Sequence, residues 1–171
     1  MDAHASQTFE PEIFITLLNS YIRPHLEYAI QAWNPWLRKD QLALELPQRR
    51  ATKLVRGLWF RPYNERLRLL RIPSTLYRRI RSDLIFTYKV LNTPDHPCRG
   101  LFNLSRSLNL RGHPLKLQLA RCRLNCRKHF LSLRVVKNWN ALPQHVVLAK
   151  TVHCFKAYLD DYLKSKYFEL P

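Results

Sequence analysis

The sequence predicts a mainly α protein: a helical bundle followed by a small α+β module with a short β-hairpin. Three observations carry that expectation. Apolar residues recur at steps of three and four through most of the chain, the period of a helix with one buried face. Only 3 of the 171 residues are Gly, against 11 Pro, too few for the positive-φ turns that a hairpin-rich all-β fold needs. One stretch, Pro114 to Leu119, alternates Leu115, Leu117 and Leu119 with Lys116 and Gln118, the two-residue period of a strand with one wet face.

Taken in order, the first helical pattern runs from Phe9 to Trp33 through Phe14, Leu18, Tyr21, Leu26 and Ile30. Thr8 or Ser6 is placed to cap it, with Glu10 and Glu12 suited to the positive helix end. Pro24 predicts a kink, or two helices meeting near Arg23. After Asn34-Pro35 a second stretch spans Leu37 to about Leu58, with Asp40 as its cap and a break expected at Pro47, since proline costs a helix interior about 3 kcal/mol. A third helix fits Tyr63 to Leu70 and ends before Pro73. Ser74 then caps a fourth, Thr75 to Leu91, with an apolar stripe of Leu76, Ile80, Leu84, Tyr88 and Leu91; Arg78, Arg79 and Arg81 fall mostly off it. The Pro-containing segment 92–100 reads as a linker between a helical region, 1–91, and a basic C-terminal module, 101–171. In that module Arg121 to Leu124 either continues the 114–119 strand or pairs with it. Helical periodicity returns from Lys128 to Trp139, and Thr151 caps a final helix through Phe155 and Tyr162.

Charge narrows the function. Lys and Arg total 29 against 12 Asp and Glu, a formal +17, and Arg outnumbers Lys. Such an excess favours a polyanion, because each phosphate contact releases condensed counterions, and a guanidinium offers phosphate two parallel hydrogen bonds. A membrane surface and a merely solvated face are the rival readings. From His96 to Leu159 there is no acidic residue at all, whereas a solvated face ordinarily mixes both signs. No apolar run approaches the roughly 20 residues of a membrane span, and no leader pattern precedes the four cysteines, so an intracellular chain with free thiols and no membrane partner is expected.

Two motifs invite chemistry. Tyr158-Leu159-Asp160-Asp161 spells a polymerase metal-site motif, but the two-metal reaction needs it on a tight hairpin beside a third carboxylate. The helical pattern around it, flanked by Lys156 and Lys164, reads instead as a helix end with two exposed carboxylates. Cys122, Cys126 and His129, with His113 nearby, suggest zinc; structural zinc sites more often pair cysteines two residues apart, so small, partly buried thiols are the expected reading. Neither motif supports a metal or another cofactor, and no residue is assigned a catalytic role. The candidate binding residues are Arg49, Arg50 and Lys53 on one helical segment, and Arg111, Lys116, Arg121, Arg123, Arg127, Lys128 and Arg134 in the basic module. Trp36 and Trp59 are candidates for stacking on bases, although core or docking contacts are the commoner use of Trp.

Several segments share an order and spacing. Tyr21-Ile22-Arg23-Pro24-His25-Leu26-Glu27-Tyr28-Ala29 leads to Ala32-Trp33-Asn34-Pro35, then to Gln48-Arg49-Arg50-Ala51-Thr52-Lys53, Arg111-Gly112-His113, Arg127-Lys128-His129-Phe130 and Trp139-Asn140-Ala141-Leu142-Pro143. Together they resemble the region past the palm in non-LTR (LINE-type, jockey-like) retrotransposon reverse transcriptases. The resemblance spans nearly the whole chain after about residue 13. It implies that residues to about 91 correspond to the thumb and those from about 99 to the C-terminal domain, with the fingers and palm absent. One departure is Pro47, where the family usually carries an aliphatic residue inside a helix.

By that likeness the chain is a non-catalytic fragment of an RNA-directed DNA polymerase that binds RNA, DNA or an RNA–DNA hybrid. A palm-containing polymerase would be its protein partner and the nucleus its site. The alternatives are a protein-docking or structural domain, whose first helix offers Tyr21, Leu26 and Trp33, and a non-functional relic of a mobile element.

Overall fold

The computed structural model describes residues 8–105 and 112–167, and they are mainly helical. The helices are α1 (Pro11–Leu17), α2 (Arg23–Glu27), α3 (Ile30–Trp33), α4 (Arg38–Ala51), α5 (Tyr63–Leu70), α6 (Thr75–Asn92), α7 (Asn125–Lys128), α8 (Leu131–Asn140), α9 (Gln144–Val147) and α10 (Val152–Tyr167). Two compact units form. The first holds the described residues to Ala29 and Pro35–Leu76; the second holds Ile30–Asn34 and the described residues from Tyr77. The division therefore falls inside the start of α6, upstream of the 92–100 boundary read from composition. The reason is packing: Tyr77, Leu84, Ile85, Tyr88 and Val90 of α6 are buried with Phe102, Leu117, Trp139 and Phe155 in one core. Segment 92–100 thus connects parts of the second unit.

In the first unit Phe14, Leu18, Ala51, Val55, Leu67, Leu70 and Ile72 form the core. Pro24 has no N–H to donate, and the backbone widens into a π turn over Leu18–Ile22 directly before α2, which Pro24 opens in its first turn. Helix α1 begins at Pro11, with Glu10 at the cap position and no side-chain cap bond; Thr8 does not cap it, and Ser6 lies outside the described residues. Asp40 sits in the first turn of α4, whose cap position is Leu37. Helix α4 runs unbroken through Pro47, contrary to the break expected there. Pro47 is exposed, while buried Glu45 and Gln48 on either side of it are held by long-range bonds. Glu45 accepts from the Thr75 amide at 3.0 Å and from the Thr75 and Tyr63 hydroxyls. Gln48 donates to the Tyr63 hydroxyl at 3.0 Å and to the Pro73 carbonyl at 3.2 Å. Burial, and then Glu45, raise the Tyr63 phenol, so it stays a donor. These bonds offset the interior proline, and the Glu45 carboxylate supplies an acceptor at the N-terminus of α6.

In the second unit the Tyr88 ring stacks on Phe155 at 4.1 Å, and Trp139 and Phe155 are fully buried. Thr151 caps α10 as the sequence suggests, its hydroxyl accepting from the Cys154 amide at 3.1 Å. Arg78 and Arg79, expected off the apolar stripe, are instead buried; Arg79 donates to Asn34 at 3.2 Å. The β component is smaller than a hairpin of two regular strands. Leu104 and Leu117 form an antiparallel bridge, with Ser105 N donating to Lys116 O and Gln118 N to Asn103 O, each at 2.7 Å. The partner of the alternating segment is thus 103–105, upstream of it, and Arg121–Leu124 leads into α7 as irregular chain.

His113 is buried, edge to face with Trp139. Its Nε2 lies 3.0 Å from the Trp139 carbonyl, and Nδ1 is buried with no hydrogen-bond partner among the described residues, which fits the neutral ring with Nε2–H donating. Burial holds its pKa below the ordinary value of 6.5, against the Trp139 carbonyl and helped by the Lys116 charge. The unfolded chain then binds the proton first, so this contribution is complete above about pH 6.5 and is lost as pH falls below it. Thermal unfolding at about pH 7.5 and 5.5 should show a lower midpoint in acid, and His113→Gln should reduce that difference. An unchanged difference in the variant would remove His113 as the cause.

Candidate nucleic-acid interface

The strongest concentration of unpaired cationic side chains lies on 121–128. Arg121, Arg123, Arg127 and Lys128 are all exposed, and no ion pair engages them among the described residues. Lys128 makes one local bond, to the Asn125 carboxamide at 3.1 Å. Between Leu117 and Leu131, both buried, no residue is buried, and even Leu119, Leu124 and Phe130 stay exposed. The single turn α7, Asn125–Lys128, has no buried residue. Four cations on a segment without acids cannot neutralise one another, so their field points outward.

Beside this segment lies an open cleft of about 630 Å³. Leu101, Phe102, Leu124, Phe130 and Leu133 line it with Asn103, Gln118 and Arg127. No Asp or Glu among the described residues lines it. Phe130, at the start of α8, and Leu124 are 46% and 66% exposed, so both offer apolar surface to an incoming group. The sequence pattern did not reveal this cleft, because its walls come from three separated segments and Phe130 reads as one more position on a helix stripe.

The other sequence candidates divide by use. Arg134 is engaged inside the second unit. Its Nε and Nη2 donate to the two Asp83 carboxylate oxygens, each at 2.9 Å, Nη1 donates to the His129 carbonyl at 3.2 Å, and Nη2 reaches the Ile30 and Gln31 carbonyls at 3.2 and 3.3 Å. With one of its five N–H groups left over and its side chain only 14% exposed, this guanidinium is a poor phosphate contact. Lys116 donates to the Asn140 carbonyl at 3.2 Å. Arg49 is half-buried, its guanidinium 4.7 Å from the centre of the Tyr63 ring. Arg50 and Lys53 are exposed in the first unit. Arg111 lies outside the described residues. In the first unit Trp59 and Phe60 are 70% and 63% exposed and meet edge to face at 6.5 Å; Trp36 is exposed as well. Neither tryptophan is a core residue, which leaves docking, of the two commoner uses, or base stacking for them.

The two tempting motifs have definite places. Asp160 and Asp161 lie within α10 rather than at its end. Asp160 is half-buried and paired with Arg81, at 2.5 and 2.9 Å, while Asp161 is exposed. Burial, and then the Asp160 charge, push the nearby Tyr77 phenol up to about 12. Cys122 is half-buried and Cys126 exposed, and both are free thiols. Among the described residues no three His, Cys, Asp or Glu side chains gather as a metal would require, and no helix is long and apolar enough to cross a membrane. Comparison with protein-family models, with curated proteins and with solved structures gives no match to this chain.

Proposed function

We propose that the chain is a post-palm portion of a non-LTR retrotransposon reverse transcriptase, and that it binds RNA or an RNA–DNA hybrid through phosphate contacts without a polymerase site of its own. The observation that carries the reading is the unpaired set Arg121, Arg123, Arg127 and Lys128, exposed together on an acid-free segment. Charge-assisted hydrogen bonds to phosphate need free donors of this kind and are largely indifferent to base sequence. The order of the sequence segments that resemble such enzymes supports the wider assignment. In that assignment residues 1–91 act as thumb and 101–171 as the C-terminal module, whose short hairpin is based on the 103–105 and 116–118 pairing. Arg50 and Lys53 are exposed on the first unit, taken by itself, and offer phosphate contacts there. DNA is a partner by the same chemistry, and a palm-containing polymerase is the protein partner.

Labelled RNA–DNA hybrids of several unrelated sequences test the reading. Affinities at low salt that agree within about threefold are the expected result, since contacts to the backbone carry no sequence information. Strong preference for one sequence, or no binding by the folded chain, contradicts it. A second reading, docking to another protein, is favoured by the exposure of Tyr21, Trp59 and Phe60. Association driven by those rings would scarcely weaken with salt.

A further inference from the structure

We infer that the cleft beside 121–128 receives an unstacked nucleobase, so that this face takes a single strand in preference to a duplex; the inference rests on the phosphate-binding reading above. A base needs flat apolar surface on its faces and hydrogen-bonding groups at its edge. The cleft is lined by Phe102, Leu124 and Phe130 for the first, and by Asn103 and Gln118 for the second. Its volume of about 630 Å³ lies within the range of about 300–1,000 Å³ usual for small-molecule sites. Charge selects the occupant. Arg127 is both part of the cleft lining and one of the four exposed cations, and no Asp or Glu among the described residues lines the cavity. An apolar group carried on a polyanionic backbone therefore matches both halves of the surface. A neutral apolar peptide would leave the cations unused. In a duplex the bases are paired and stacked, so none can enter without being pulled out of the helix.

Fluorescence anisotropy with the full chain separates the possibilities. The probes are a labelled single-stranded RNA of about a dozen nucleotides, an abasic strand with the same number of phosphates, and a blunt RNA–DNA hybrid of the same length. The single strand should bind about tenfold more tightly than the abasic strand, the scale of one base stacking on an aromatic ring. It should also bind more tightly than the hybrid. Phe130→Ala should bring the ratio of single-strand to abasic affinity close to one. Leu124→Ala, at a side chain that supports no core packing, should lower the same ratio and guards against a folding defect in the first variant. Equal binding of normal and abasic strands, or a hybrid bound as tightly as the single strand, overturns the base site and leaves phosphate binding standing. Failure of all three probes to bind overturns both readings together.

Discussion

Replacing Arg121, Arg123, Arg127 and Lys128 together with Gln should lower affinity for an RNA–DNA hybrid by about two orders of magnitude at low salt. It should also flatten the log–log dependence of affinity on salt by about 3 to 4 in slope, roughly one for each phosphate that is no longer neutralised. The four side chains are exposed, and among the described residues only Lys128 makes a side-chain bond, so their replacement leaves the core untouched. Net charge alone is a rival cause, because removing any four cations from a chain of +17 weakens attraction to a polyanion. A matched variant separates the two. Arg38, Lys39, Arg68 and Arg71 are also exposed, but lie in the first unit. Changing these four to Gln removes the same charge. If 121–128 is the contact surface, the matched variant loses much less affinity and keeps its salt slope. Equal losses from the two sets would mean that charge acts diffusely and that no defined surface exists.

The largest stability effect is expected at Arg134. Arg134→Met leaves the Asp83 carboxylate, whose side chain is 7% exposed, without its bidentate partner. Removing one member of a buried ion pair costs about 3–5 kcal/mol, because the remaining charge stays desolvated. Asp83 already shows that cost: burial raises its carboxyl above the ordinary range, more than Arg134 and Arg79 lower it. The same guanidinium also satisfies the Ile30, Gln31 and His129 carbonyls, so the loss reaches beyond one pair. Denaturant unfolding should show a lower midpoint for Arg134→Met. The double variant Asp83→Leu with Arg134→Met should recover part of it, since an apolar pair leaves no buried charge. A double variant no more stable than the single would show that the carbonyl contacts, rather than the stranded carboxylate, dominate. Nucleic-acid affinity of the folded Arg134→Met protein should change little, as the side chain is only 14% exposed and its guanidinium is engaged inside the unit.

How much of the fold was legible in the sequence depends on range. Period and local chemistry placed the longer helices, the end of α5 before Pro73 and the Thr151 cap, because these depend on residues a few positions apart. Pro47 misled for the opposite reason. Its cost is local, while the bonds that offset it join Glu45 and Gln48 to Tyr63, Pro73 and Thr75, partners 15 to 30 positions away. Arg78 and Arg79 fell off the apolar stripe and Arg134 read as a phosphate contact, whereas the structure buries the first two and engages Arg79 with Asn34 and Arg134 with Asp83. The alternation at 115–119 marked Leu117 as inward-facing, but its period is silent on which segment pairs with it. For the site, the acid-free run identified the basic region, and exposure then separated Arg121, Arg123, Arg127 and Lys128 from Lys116 and Arg134. The cleft was not legible, since Leu101, Gln118 and Phe130 are brought together only by the packed unit.

The most direct test of phosphate binding is fluorescence anisotropy of a labelled RNA–DNA hybrid with the purified full chain, repeated across a range of salt. Several contacts from 121–128, with Arg50 and Lys53, predict an affinity that falls with a log–log slope of about −4 or steeper. Tight binding that barely responds to salt would place the interaction on apolar surface instead, and no binding at low salt by a chain shown to be folded would contradict the nucleic-acid function outright.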